Sequence, residues 1–186
     1  MTRSRPNRRP GPRALLGIEP APAGHREQLI SAAGGFAGIL LVWAATACLA
    51  GPPAAAGAVM ASVGASAVLL FAAPHGPMSQ PWPVLGGHAL SAAVGVACHR
   101  LLPDPRLAAP AAVGLAIGVM YYARCLHPPG GATALAAVLG GPAVHALGYR
   151  YVLAPVLLDA GVVLAAGVLV NAPFPRRRYP AALARR

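Results

Sequence analysis

Charge is scarce in this sequence. Only 10% of its 186 residues are Asp, Glu, Lys or Arg, and Asp and Glu together number 4. Soluble domains run near about 25% charged residues, so most of this chain has given up what keeps a surface wet. So few acids leave no readable pair of carboxylates for acid–base catalysis, and neither a GxSxG turn nor an HExxH helix is present. Cysteine is sparse as well. Cys48, Cys98 and Cys125 form an odd set without a CxxC, which argues against a disulfide framework and a zinc ribbon and leaves small packing residues. His75, His88, His127 and Cys125 match the spacing of no known metal site. We therefore expect no enzyme, no metal and no cofactor.

What is abundant is apolar. Hydrophobic residues make up 56% of the chain and the mean hydropathy is +0.59. The net charge of +11 comes largely from arginines in the two tails. Arg3, Arg5, Arg8, Arg9, Arg13 and Arg26 precede the first apolar run; Arg176, Arg177, Arg178, Arg185 and Arg186 follow the last. Short basic tails beside hydrophobic segments suit anionic head groups and the positive-inside rule better than nucleic acid, which needs arginines on a folded face. The twin Arg8-Arg9 lacks the flanks of a Tat signal, and Leu29–Ala50 exceeds a signal core of about 7–15 residues, so it reads as a retained first helix.

Six apolar segments follow one another: Leu29–Ala50, Ala54–Ala73, Val84–Leu102, Leu107–Leu126, Gly131–Leu147 and Tyr149–Val170. Crossing a bilayer takes about 20 residues, which the fifth segment, interrupted at Gly140-Gly141-Pro142, does not supply. The expected fold is all-α: a polytopic transmembrane helical bundle of about six segments, with four to six crossings and a short or re-entrant fifth. Basic tails on one side require an even number of crossings and place both termini in the cytoplasm of a bacterial-type inner membrane. The expected organisation is a basic tail over 1–27, a membrane domain over 28–171 and a second basic tail over 172–186. Gly34/Gly38, Gly114/Gly118 and Gly87-Ser91-Gly95 recur at four-residue spacing, ridges that bring helices close in lipid and allow a homo-oligomer. Two helix pairs interrupted by His/Pro turns and reopened by Gly86-Gly87 and Gly130-Gly131 suggest a weak internal repeat.

Three features carry potential chemistry. In His127-Pro128-Pro129-Gly130-Gly131-Ala132-Thr133, two prolines end one helix and suit the first turn of the next. The glycines admit close backbone approach, and a helix N-terminus beside His127 and Arg124 suits an anion. The alternative is a tight turn whose histidine bonds a helix end. The second feature, Pro74-His75-Gly76-Pro77-Met78-Ser79-Gln80-Pro81-Trp82-Pro83, is a stiff uncharged loop followed by Gly86-Gly87-His88. It suits ligand contact or an interfacial anchor at Trp82. Third, Asp159 lies in an apolar helix four residues after Pro155, a coupling acid or else a partner for a buried arginine.

These residues together resemble the HPP family of integral membrane proteins. The likeness rests on Pro74, His75, Pro77, Gln80 and Pro81, on Gly86-Gly87-His88, on His127 through Leu135, and on Asn171 with Arg178-Tyr179-Pro180, roughly residues 29–180. The resemblance implies a helical membrane domain in a lipid bilayer and a transport role, since plant and cyanobacterial relatives are associated with nitrite transport. Asp159 departs from the family pattern. The expected function is a permease for a small inorganic anion such as nitrite, with His127, Gly130, Gly131, Thr133, Gly86, Gly87 and His88 lining the site. A non-transporting membrane scaffold or assembly partner is the alternative.

Overall fold

The computed structural model describes residues 16, 24–49 and 53–184. Arg3, Arg5, Arg8, Arg9, Arg13, Gly51, Pro52, Arg185 and Arg186 lie outside them, and with them most of the expected N-terminal tail. Among the described residues, seven α-helices follow in order: α1 His25–Leu49, α2 Pro53–Ala72, α3 Pro81–Leu101, α4 Pro105–Tyr122, α5 Pro129–Leu139, α6 Gly141–Leu147 and α7 Leu158–Asn171. Local chemistry sets their ends. Prolines open α3, α4 and α5, where a missing N–H costs nothing. Asp104 caps α4 by accepting from the Arg106 N–H at 2.9 Å, and the Arg106 side chain beside it holds the carboxyl below its ordinary range. At the end of α4, Arg124 takes a left-handed φ of 54°.

The last two apolar segments are both broken. α5 and α6 meet at a bend of 99°, where Gly141 supplies a φ of 79°. The sixth segment was expected as one run, but widened turns over Val152–Leu157 precede α7 and Ala154 is extended. Pro155, without an N–H, cannot continue the ladder.

Among the described residues, two helices are long and apolar enough to cross a membrane, His25–Leu49 and Val152–Asn171, with a third if the bent α5–α6 pair is one span. That is fewer than the four to six crossings expected from the apolar segments. The shortfall has a compositional cause: α3 carries His88, His99 and Arg100, and α4 carries Arg106, Pro110, Tyr121 and Tyr122.

α3 packs on both α4 and α5, while α1 packs on α2 and α7. Leu29, Phe36, Leu40, Trp43, Leu115 and Leu169 point outward, as lipid contact requires. Ser62, Ser66, His88, His127, Thr133 and Asp159 are buried inside. An apolar exterior with polar groups set into an apolar interior suits a bundle held by close contact and interior hydrogen bonds.

Two of the glycine ridges work as expected and one does not. Gly34 and Gly38 seat the Phe71 ring, and a methyl group on Gly95 would lie 2.6 Å from the Ala134 carbonyl. Gly114 and Gly118 face open space. Gly95→Ala should therefore cost about 1–3 kcal/mol by overpacking. Gly114→Ala should be neutral, or stabilising by up to about 1 kcal/mol. Thermal unfolding in detergent measures both; equal losses would refute the distinction.

The C-terminal segment doubles back as a strap. Arg177, expected as a free tail charge, is buried: its guanidinium donates to the Asn171 Oδ1 at 3.0 Å, the Phe71 carbonyl at 2.5 Å, the Ser31 hydroxyl at 3.2 Å and the Glu27 carboxylate. The Tyr179 hydroxyl donates to the Ser79 carbonyl at 2.6 Å, and the Ala181 N–H to Gln80 Oε1 at 3.0 Å. Arg177→Ala strands several buried acceptors and should cost about 1–3 kcal/mol in the same assay. Arg177→Lys should recover little of it, because a single ammonium lacks the reach of the guanidinium fork.

Candidate functional site

The site assembles where the two proline-rich turns meet. Residues 125–127 run against the first turns of α3, and only glycine there leaves room. A methyl on Gly87 would lie 2.5 Å from the His127 Cβ and 3.0 Å from the Cys125 carbonyl; one on Gly86 would lie 3.1 Å from the Cys125 Cβ. Gly130 is packed against α3 in the same way, with Ser91 Oγ 2.6 Å from where its Cβ would be. This close approach brings His127 beside His88 of α3, with ring centroids 4.9 Å apart.

Between the rings stands Ser66 of α2. Its Oγ is 2.7 Å from His88 Nε2 and 2.8 Å from His127 Nε2. His127 Nδ1 is 2.8 Å from the Met78 carbonyl, and His88 Nδ1 is 2.7 Å from Thr133 Oγ1. The hydrogens follow from what each atom can do. The Met78 carbonyl only accepts, so His127 donates from Nδ1. Its Nε2, in the neutral ring, then accepts the single hydrogen of Ser66. His88 must donate to Ser66 through Nε2, which leaves its Nδ1 to accept from Thr133. The chain closes with both rings neutral and every polar atom satisfied. Among the described residues no carboxylate bonds either ring.

Of the sequence-predicted site residues, His88, His127 and Thr133 are brought together, with Gly86 and Gly87 beneath them. The glycine helix start behaves differently from expectation. The Gly130 N–H donates to the His127 carbonyl at 2.8 Å and the Gly131 N–H to the Pro128 carbonyl at 3.1 Å, so neither is a free donor for an anion. Gly131 and Pro128 line an apolar pocket with Val113, Ile117, Met120, Tyr121 and Leu126. Pro129 is buried in the first turn of α5. Pro74 and Gly76 accept through their carbonyls from Gln80 Nε2 at 3.0 and 2.9 Å, holding the loop with Pro77 and Pro81 in shape. His75 does not join the other two histidines: its Nε2 donates to the Arg178 carbonyl of the strap at 3.1 Å.

Outside the histidine cluster, an open pocket of about 280 Å³ is lined by Pro77, Met78, Pro83, Met120, Tyr121, Arg124 and Leu126. It abuts Met78, the residue whose carbonyl holds His127, and carries an exposed arginine.

Asp159 is fully buried at the start of α7 and pairs with Thr46 of α1, not with an arginine. Thr46 Oγ1 lies 2.5 Å from Asp159 Oδ1 and 2.8 Å from the Val42 carbonyl, while Oδ2 has no hydrogen-bond partner among the described residues. Thr46→Val should cost about 1–3 kcal/mol, because it strips a buried carboxyl of its donor. Thr46→Val combined with Asp159→Leu should cost less than Thr46→Val alone, since an apolar pair replaces a stranded polar group. A double variant less stable than the single would refute the pairing.

Sequence reasoning missed Ser66, Tyr151 and Thr46. Tyr151 is buried and its hydroxyl donates to the Thr133 carbonyl at 3.3 Å. The available signal was a pair of serines, Ser62 and Ser66, one turn apart in an otherwise apolar helix.

The HPP transmembrane-region family model matches residues 20–180. Two proteins of Dictyostelium discoideum, named only as transmembrane proteins, are each 37% identical over 126 residues. The aligned part is 66% of this chain and 40% and 44% of theirs, so the chain spans less than half the length of these curated relatives. No solved structure matches the chain.

Proposed function

This chain belongs to the HPP transmembrane-region family, and on that premise we propose that it is a permease for a small inorganic anion such as nitrite. The observation that carries the proposal is the buried Ser66–His88–His127–Thr133 cluster. Titratable groups inside an apolar bundle are costly to keep and mark ion pathways by default. This cluster has no carboxylate bonded to it, so any charge it acquires is positive and suits an anion rather than a metal cation. The pocket bearing Arg124 lies beside it and offers an entrance of the right sign. The names of the curated relatives carry no substrate, and the nitrite reading rests on the family resemblance.

A second reading is favoured by one observation. Gly114 and Gly118 face open space, a surface on which another helix could sit closely, as a non-transporting membrane scaffold would need. Nitrite uptake into proteoliposomes separates the two. His127→Ala and Thr133→Val should each cut uptake about tenfold or more, the worth of roughly one lost buried hydrogen bond, with membrane insertion unchanged. Normal uptake in both variants would sink the assignment to this cluster, and no uptake by the unaltered chain would favour the scaffold.

A further inference from the structure

One added proton leaves the Ser66-bridged pair fully hydrogen-bonded; the Ser66 hydroxyl can serve a ring nitrogen or the Ser62 carbonyl at 3.2 Å, and the two arrangements in which it serves a ring form a relay. With the charge on His127, Nδ1–H stays on the Met78 carbonyl at 2.8 Å and Nε2–H donates to Ser66 Oγ at 2.8 Å. The Ser66 hydroxyl then donates to His88 Nε2 at 2.7 Å, and His88 Nδ1–H donates to Thr133 Oγ1 at 2.7 Å. Thr133 turns its own hydrogen to the Pro129 carbonyl at 3.4 Å. With the charge on His88, both of its ring N–H groups donate and the Ser66 hydroxyl points at His127 Nε2.

The two forms differ by one concerted shift. The Nε2 proton of His127 passes to Ser66 Oγ as the Ser66 hydroxyl proton passes to His88 Nε2. One N–H and one O–H bond break and one of each forms, so Ser66 ends as a neutral hydroxyl. The positive charge has moved from the proline-loop end to the ring on α3.

That charge has no carboxylate hydrogen-bonded to it among the described residues. The titratable groups packed around the pair are Cys125 below Gly86, Tyr151, whose hydroxyl is on the Thr133 carbonyl, and Asp159 on α7, which is engaged with Thr46. A buried imidazolium without a partner is costly, and so is a bare anion in the same bundle. Bound together they are neutral, so each favours binding of the other, and such coupling is reciprocal.

We propose that the protein is a proton–anion symporter, carrying one proton with each monovalent anion, and that the proton crosses Ser66 between His127 and His88. The inference rests on the reading of the chain as an anion permease and adds its coupling ion.

The full chain in liposomes, with a pH-sensitive dye trapped inside and nitrite supplied outside, tests the coupling. Protein-free liposomes correct for nitrous acid that crosses unaided. Nitrite uptake should acidify the lumen by one proton per anion and should not change when potassium and valinomycin impose a membrane potential. Uptake that follows the potential and carries no proton overturns the coupling and leaves the permease reading standing. No uptake at all overturns that reading and the coupling with it. Ser66→Ala should cut uptake about tenfold or more and Ser66→Thr, which keeps the hydroxyl, should retain it; wild-type rates in Ser66→Ala overturn the relay. Nitrogen-15 spectra of the two rings test the relay without transport. At rest His88 should carry its hydrogen on Nε2 and His127 on Nδ1, and acidification should load one proton per pair. The opposite tautomers, or two protons per pair, overturn it.

Discussion

One hydroxyl organises the centre of this protein. Ser66 Oγ holds two imidazoles from different parts of the chain, 22 and 61 residues further along. It can do so because α3 has no side chains where the 125–127 segment passes, at Gly86 and Gly87. In lipid, where burying apolar area does little to join helices, this combination of close backbone approach and interior hydrogen bonds is what a bundle has to work with. Removing either half undoes the other: without the glycines the rings cannot reach Ser66, and without Ser66 two ring nitrogens lose their partner.

The proline-rich loop and the C-terminal strap support that centre from outside. The Met78 carbonyl, which sets the tautomer of His127, belongs to a loop whose shape is held by Gln80 and by Tyr179. Arg177 ties the strap to α1, to the end of α2 and to Asn171 at the end of α7. A planar guanidinium suits this place because its several donors satisfy separate acceptors at once. The orientation of one buried ring thus depends on contacts made about 100 residues away in the chain.

The Asp159–Thr46 pair shows the same economy on the other side of the bundle. Thr46 has one hydrogen and two oxygen neighbours, Asp159 Oδ1 and the Val42 carbonyl. The Thr46 hydroxyl donates to the carboxyl and lies 2.8 Å from the Val42 carbonyl, so one side chain ties the acid to α1. The broken turns of Val152–Leu157 lie just before Asp159.

Helicity and membrane residence were legible in the sequence, and so were His88, His127 and Thr133 as unusual residues, which the structure joins through Ser66 in one hydrogen-bond network. Long apolar runs, proline and glycine punctuation and rare polar residues are local properties, fixed by neighbours in the chain. Fewer long spans are present than apolar runs, because the runs over Val84–Leu102 and Leu107–Leu126 include His88, His99, Arg100 and two tyrosines. Other features were decided only by tertiary structure, because identical residues met different neighbours. Ser66 is no different in its helix from Ser62, yet it alone lies between two rings. Gly95 and Gly114 look alike in sequence, but one faces the α5 backbone and the other open space. Arg177 stands between two other arginines and is the one turned inward. Thr46 and Asp159 are 113 residues apart, and no spacing rule joins them. A residue's chemistry is written in the chain, but which partner satisfies it depends on how the helices cross.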